Sequence, residues 1–207
     1  MSTGGRLEDC TGVLVAGGRG RRLGGIPKGL LTVQGRAIAA RTVELFRRIF
    51  AEVVLVTNDP APYDALGVRL ESDRLTGKGA PGGLHAALAS AHTSWVFTAG
   101  CDMPFLAEEP IRFLAEQRGS GALAVVPVWK GVEQPLHALW ARAALPTVEE
   151  LVSGGDPSLR SIVRAVGARL VPEERWAVVD PGGRALENAN TPEDLVRLGL
   201  APPSPRR

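Results

Sequence analysis

Short apolar runs alternate with longer stretches of helical period along this chain. Residues 13–16, Val-Leu-Val-Ala, read as a short buried strand stopped by two glycines. From 37 to 50 the apolar positions Ile38, Thr42, Leu45, Phe46 and Ile49 fall on one helical face. A Val-rich run at 53–56 follows and ends at the turn signal Asn58-Asp59-Pro60. The same reading gives strands at 68–71, 95–98, 123–128 and 135–140, and helices at 83–92, 110–117, 143–152 and 158–166. Two last short strands are expected at 168–171 and 176–179. A closing helix starts at Thr191, a good N-cap, with Pro192 in the first helical position and Asp194 three residues on.

Strands that alternate with helices predict an α/β fold, a mostly parallel sheet covered by helices. In such sheets ligands sit beyond the carboxyl ends of the strands, so the loops after the strands are where chemistry is expected. The first of these loops runs Ala16-Gly17-Gly18-Arg19-Gly20-Arg21-Arg22-Leu23-Gly24-Gly25-Ile26-Pro27-Lys28. Its glycines let backbone N–H groups approach phosphate oxygens, and its arginines with Lys28 bring positive charge to a triphosphate. It has neither the GxxxxGK[ST] spacing nor a GxGxxG that opens a helix. The bland alternative, a solvated basic surface loop, is weakened by the loop's position directly after the first strand.

Composition narrows the function classes. The 207 residues suit a single domain with a real core, with residues 1–10 as a flexible N-terminus, 11–199 as the domain and 200–207 as a proline-rich disordered tail. A formal charge of +2 and 5% aromatics argue against a nucleic-acid surface. Cys10 and Cys101 are too far apart for a disulfide framework, and neither has a partner at zinc spacing. No apolar run approaches the ~20 residues of a membrane span. The first ten residues lack the apolar core of a signal peptide, so a cytoplasmic location is expected. His85, His92 and His137 are scattered and read as packing or surface residues.

Further along, Asp102 in Cys101-Asp102-Met103-Pro104 follows a strand, where a carboxylate can hold a hard cation such as Mg²⁺. An aspartate that simply forms a turn before Met-Pro is the plainer account. Asp73 and Asn58 also follow strands, and turn chemistry explains both nearly as well as ligand binding. Asn188 and Asn190 flank one residue in an extended segment, so their amides are expected to point the same way. Helix capping at Thr191 is the alternative there.

Taken together, the Ala16-Gly17-Gly18 start, Arg22-Leu23-Gly24-Gly25, Lys28-Gly29-Leu30, the Cys101-Asp102-Met103-Pro104-Phe105-Leu106 segment and the closing Asn188-Ala189-Asn190-Thr191-Pro192-Glu193-Asp194-Leu195 resemble the molybdenum cofactor guanylyltransferases. Gly79-Ala80-Pro81-Gly82-Gly83-Leu84 and the strand around His137 resemble further segments of that family. The resemblance covers about residues 11–198 and implies a three-layer α/β/α Rossmann-like nucleotidyltransferase fold. It implies transfer of GMP from GTP to molybdenum-bearing molybdopterin with release of pyrophosphate, Mg²⁺ as cofactor, and molybdoenzymes or their chaperones as takers of the product. Residue by residue, it implies Arg22, Lys28 and Asp102 as catalytic. It implies Val15, Ala16, Gly17, Gly18, Lys28, Asn58, Asp73 and Asp102 as nucleotide-binding, Asp102 as the metal ligand, and Asn188 and Asn190 as acceptor-binding.

Three other functions fit parts of the pattern. A CTP-dependent relative on the same acceptor usually carries AAG where Ala16-Gly17-Gly18 stands here. A sugar- or polyol-phosphate nucleotidyltransferase would account for the Pro27-Lys28 pair but not for the NANTPEDL ending. A non-catalytic nucleotide-binding regulatory module would have little reason to keep both Lys28 and Asp102.

Overall fold

The computed structural model describes residues 4–17 and 25–203. Eleven strands and seven α-helices are present among them. The strands are Leu7–Val15 (β1), Thr32–Val33 (β2), Arg36–Ala37 (β3), Phe50–Val56 (β4), Arg69–Glu71 (β5), Trp95–Gly100 (β6), Ala124–Trp129 (β7), Val132–Glu133 (β8), His137–Ala141 (β9), Arg169–Val171 (β10) and Leu200–Ala201 (β11). The helices are Ile38–Ile49 (α1), Gly79–Ser90 (α2), Glu108–Glu116 (α3), Leu145–Gly154 (α4), Leu159–Ala165 (α5), Glu173–Trp176 (α6) and Pro192–Leu198 (α7). No described helix is long and apolar enough to cross a membrane.

The central sheet has the order β10-β7-β9-β6-β1-β4-β5, with β8 paired to β7. β1 pairs parallel with both β4 and β6, β4 with β5, and β10 with β7. β9 alone runs antiparallel within that order, between β6 and β7. The sheet is thus mostly parallel, as the alternation predicts. β1 lies inside the sheet, between β6 and β4, and Cys10–Val15 is buried throughout, which only an interior strand tolerates.

Alternate residues of β1 feed opposite layers. Leu14 joins Phe46, Phe50, Phe97 and Trp176 under α1, α3 and α6. Val13 and Val15 join Leu84, Leu88, Val148 and Ile162 under α2, α4 and α5. This is the expected α/β/α arrangement. Gly12 lets the Phe46 and Phe50 rings lie on the sheet, since a Cβ there would stand 2.3 Å from the Phe50 ring.

A second sheet, β11-β2-β3, covers a third cluster of Leu31, Val33, Ile38, Ala189, Leu198 and Leu200. It was not legible as strands because each is two residues long. Its hairpin turns at Gln34 and Gly35, both at positive φ, which matches the twist of a two-residue hairpin.

The structure departs from the sequence reading in several segments. Residues 176–179 do not form a strand: α6 ends at Trp176, whose indole N–H donates to Asp180 Oδ2 at 3.2 Å. The ring is fully buried while Val178 is 77% exposed, so the run was never a buried strand face. β1 already begins at Leu7, which moves the domain boundary inside the supposed flexible residues 1–10. Leu200 and Ala201 pair antiparallel with Val33 and Thr32, so these two residues belong to a sheet.

Candidate functional site

Four adjacent parallel strands, β6-β1-β4-β5, end along one edge of the sheet. Backbone bonds beyond the strands stitch these ends together. Ala16 N–H donates to Val56 O at 2.8 Å, Cys101 N–H to Val15 O at 3.0 Å, and Thr57 N–H to Glu71 O at 2.7 Å. Val15, Ala16 and Gly17, Asn58, Asp73 and Asp102 are therefore neighbours on one edge, although they come from four separate stretches of chain. Gly18 and Arg22 lie outside the described residues.

Asn58 and Asp73 bind each other twice. Asn58 Nδ2 donates to Asp73 Oδ2 at 3.0 Å, and Asp73 N–H donates to Asn58 Oδ1 at 3.0 Å. The pair ties the loop after β4 to the loop after β5. α2 starts at Gly79, earlier than the expected residue 83. Its Gly83 backbone packs directly on the end of β1, where a Cβ would stand 2.6 Å from Val15 Cγ1.

Lys28 sits on a one-turn helix, Lys28–Leu30, after Pro27. Its ammonium donates to Asp102 Oδ2 at 2.9 Å and to Asn190 Oδ1 at 2.5 Å. Asp102 C=O accepts from Ala189 N–H at 2.9 Å. The closing segment is thereby docked onto the metal-candidate loop. Asn188 and Asn190 do not act as a matched pair: Asn188 Nδ2 donates to Leu186 O at 2.9 Å, a local bond, and only Asn190 reaches Lys28.

The described residues hold no cluster of three or more His, Cys, Asp or Glu that could cage a metal. That donor set still fits Mg²⁺, which is commonly held by one or two carboxylates with substrate phosphates and water completing its shell. Asp102 is about one-fifth exposed, and its Oδ1 has no hydrogen-bond partner among the described residues. Zinc or another ion that needs several protein ligands does not fit.

Burial also sets the state of the two cysteines and of His137. Burial pushes the Cys101 thiol up to about 12 and the Cys10 thiol likewise to about 12, so neither is a thiolate nucleophile. His137 is fully buried between the Phe97 and Trp176 rings, and burial lowers its pKa to about 3. It is a packing residue, as expected. Two surface cavities, of about 210 and 310 Å³, lie against α1 and the segment after Met103, and neither is lined by Lys28, Asp102 or Asn190.

The model of the MobA-like NTP transferase domain matches residues 12–174. A molybdenum cofactor guanylyltransferase of Desulfosudis oleivorans is 30% identical over 195 residues, covering 94% of this chain and 96% of the relative. A probable molybdenum cofactor guanylyltransferase of Pelotomaculum thermopropionicum is 33% identical, with 92% of each chain covered. Among solved structures, molybdopterin-guanine dinucleotide biosynthesis protein A from Archaeoglobus fulgidus superposes with a TM-score of 0.78 at 26% identity, over 90% of this chain and 95% of that one. A 2-C-methyl-D-erythritol 4-phosphate cytidylyltransferase from Thermus thermophilus reaches a TM-score of 0.64 at 21% identity over 89% of this chain and 95% of that one, a likeness of fold alone.

Proposed function

Because the chain belongs to the MobA-like NTP transferase family, and within it to the molybdenum cofactor guanylyltransferases, we propose that it transfers GMP from GTP to molybdenum-bearing molybdopterin and releases pyrophosphate. The observation that carries this reading is the meeting of Lys28, Asp102 and Asn190 at one point of the strand edge. Each comes from a different segment that resembles the family.

A phosphate oxygen of the acceptor attacks the α-phosphorus of GTP. The bond from that phosphorus to the bridging oxygen breaks in line, and its electron pair leaves with pyrophosphate. No protein atom bonds covalently to the substrate, which agrees with two protonated, buried thiols. Catalysis then consists of positioning and charge stabilisation. The Lys28 ammonium offers N–H donors where negative charge grows. Asp102 would hold Mg²⁺, which when bound supplies further neutralisation of the departing pyrophosphate.

The backbone at Val15, Ala16 and Gly17, continued in sequence by Gly18, would line the nucleotide, with Asn58 and Asp73 on its base and ribose side. Arg22 would add charge to the phosphates, and Asn188 and Asn190 would contact the acceptor. Two free, buried cysteines suit a reducing cytoplasm.

The test is to incubate the protein with Mg²⁺, molybdenum-loaded molybdopterin and each NTP in turn, and to measure pyrophosphate. Release with GTP and little with CTP is expected. Equal release with CTP, or release that needs a sugar phosphate in place of molybdopterin, would overturn the reading.

A further inference from the structure

A closed ring of contacts surrounds the Lys28 ammonium. Lys28 Nζ donates to Asp102 Oδ2, Asp102 C=O accepts from Ala189 N–H, Ala189 is bonded to Asn190, and Asn190 Oδ1 accepts from Lys28 Nζ. The two side-chain bonds span 74 and 162 residues of chain.

Asn190 is itself anchored by α7. Its N–H donates to Asp194 Oδ2 at 2.9 Å, and the same oxygen accepts from Thr191 N–H at 3.0 Å. Thr191 Oγ1 accepts from Asp194 N–H at 3.2 Å and completes a capping box. A capping box needs only the bonds between Thr191 and Asp194. The bond to Asn190 N–H goes beyond it, and it is the first cause that holds the Asp194 carboxyl below the usual carboxylate range. Arg197 bridges Asp194 and Glu187, so the segment before α7 is fixed from both ends.

A lysine side chain has about four rotatable bonds, and ordering it costs conformational entropy. One carboxylate sets a distance to an ammonium but little about its direction. Acceptors on two separately anchored segments hold it at one point, and among the described residues they take two of its three N–H donors. Taking Lys28 as the cation that faces the reacting phosphates, the role proposed above, we infer that Asn190 is a positioning residue for Lys28 and that the α7 cap is its anchor. The closing motif then serves the donor half of the reaction as well as the acceptor half.

Asn190→Ala removes the acceptor oxygen, whereas Asn190→Asp keeps an acceptor, replaces the amide N–H donors by a second oxygen and adds a negative charge. Lys28, Lys78 and Lys130 are the chain's lysines, so ¹⁵N-lysine labelling of the full chain gives a spectrum that can be assigned by substitution. Lys78 has its own partners, Asp156 and Gly155 O, and serves as the internal control. In Asn190→Ala the Lys28 ammonium signal should broaden or shift while that of Lys78 stays in place. Asn190→Asp should keep the Lys28 signal sharp.

In steady-state assays Asn190→Ala should lower kcat about 10- to 100-fold, with the KM for GTP changed less than about twofold. Asn190→Asp should restore most of that loss at saturating acceptor, and Asp194→Ala should show a smaller loss with the same split. An unchanged Lys28 signal in Asn190→Ala, or a defect confined to the KM for the acceptor, overturns the inference. If the signal moves as expected but Lys28→Ala leaves kcat intact, Lys28 is not the catalytic cation, and the inference falls with that role rather than with the contact.

Discussion

Lys28 Nζ and Asp102 Oδ2 stand 2.9 Å apart at the edge of the sheet, with both side chains about one-fifth exposed. Such a pair is sheltered enough to hold its geometry and open enough to exchange partners with a ligand. A cation beside a carboxylate where four strands end is an arrangement suited to a metal-bound triphosphate.

Lys28→Ala should lower kcat more than it weakens GTP binding. Negative charge on the α-phosphate and the leaving pyrophosphate grows in the transition state, and a cation aimed at that growth acts mainly on rate. By analogy with a lost oxyanion donor, the loss should be ~10²–10³-fold. Steady-state kinetics over a range of GTP concentrations check this. A raised KM at unchanged kcat would mean that Lys28 contributes uniform binding only.

Asp102→Asn should keep the fold and lose metal-dependent turnover. The side chain keeps its size, but the charge that attracts a hard divalent cation is gone. A melting curve within a few degrees of wild type, together with loss of Mn²⁺ binding in the presence of GTP, is the expected result. Full activity at ordinary Mg²⁺ would reduce Asp102 to a turn residue.

GTP should displace labelled GTP at lower concentration than CTP does. Two successive glycines at 17 and 18 carry no Cβ that would exclude the larger purine. Competition binding with both nucleotides decides it, and equal displacement by CTP would count against guanine preference.

Gly12→Ala should destabilise the protein by about 1–3 kcal/mol without changing GTP affinity. The added Cβ would meet the Phe50 ring at 2.3 Å and the Phe46 ring at 2.9 Å, and both rings are packed in the core. Urea unfolding should show a lower midpoint with an unchanged slope. An unaltered midpoint would mean that the rings can retreat.

His137 makes stability fall on the acid side. Its folded pKa is held at about 3 by burial, below the ~6.5 of an exposed histidine. Between these values the unfolded chain binds a proton that the native state does not. The contribution is therefore full above about pH 6.5 and declines as the pH falls through the range down to about 3. His137→Leu should flatten the loss of stability between pH 7 and pH 4, as read from denaturant midpoints. Identical pH profiles for the two proteins would rule out His137 as a cause.

The alternation of strands and helices, the amphipathic face of α1 and the start of α7 after Thr191 can be read from the amino-acid order. These features rest on local periodicity and capping, which operate within one or two turns of chain. That Ala16 and Asp102 come just after strands was also legible, because each follows a short apolar run. Tertiary structure alone decided that β9 runs antiparallel between β6 and β7, that two-residue strands build a second sheet, and that residues 176–179 turn away around a buried Trp176. It also decided that Asn190 and not Asn188 meets Lys28. Strand order, a slot for an indole ring and a bond across 162 residues depend on which distant surfaces pack together, and no local pattern carries that information.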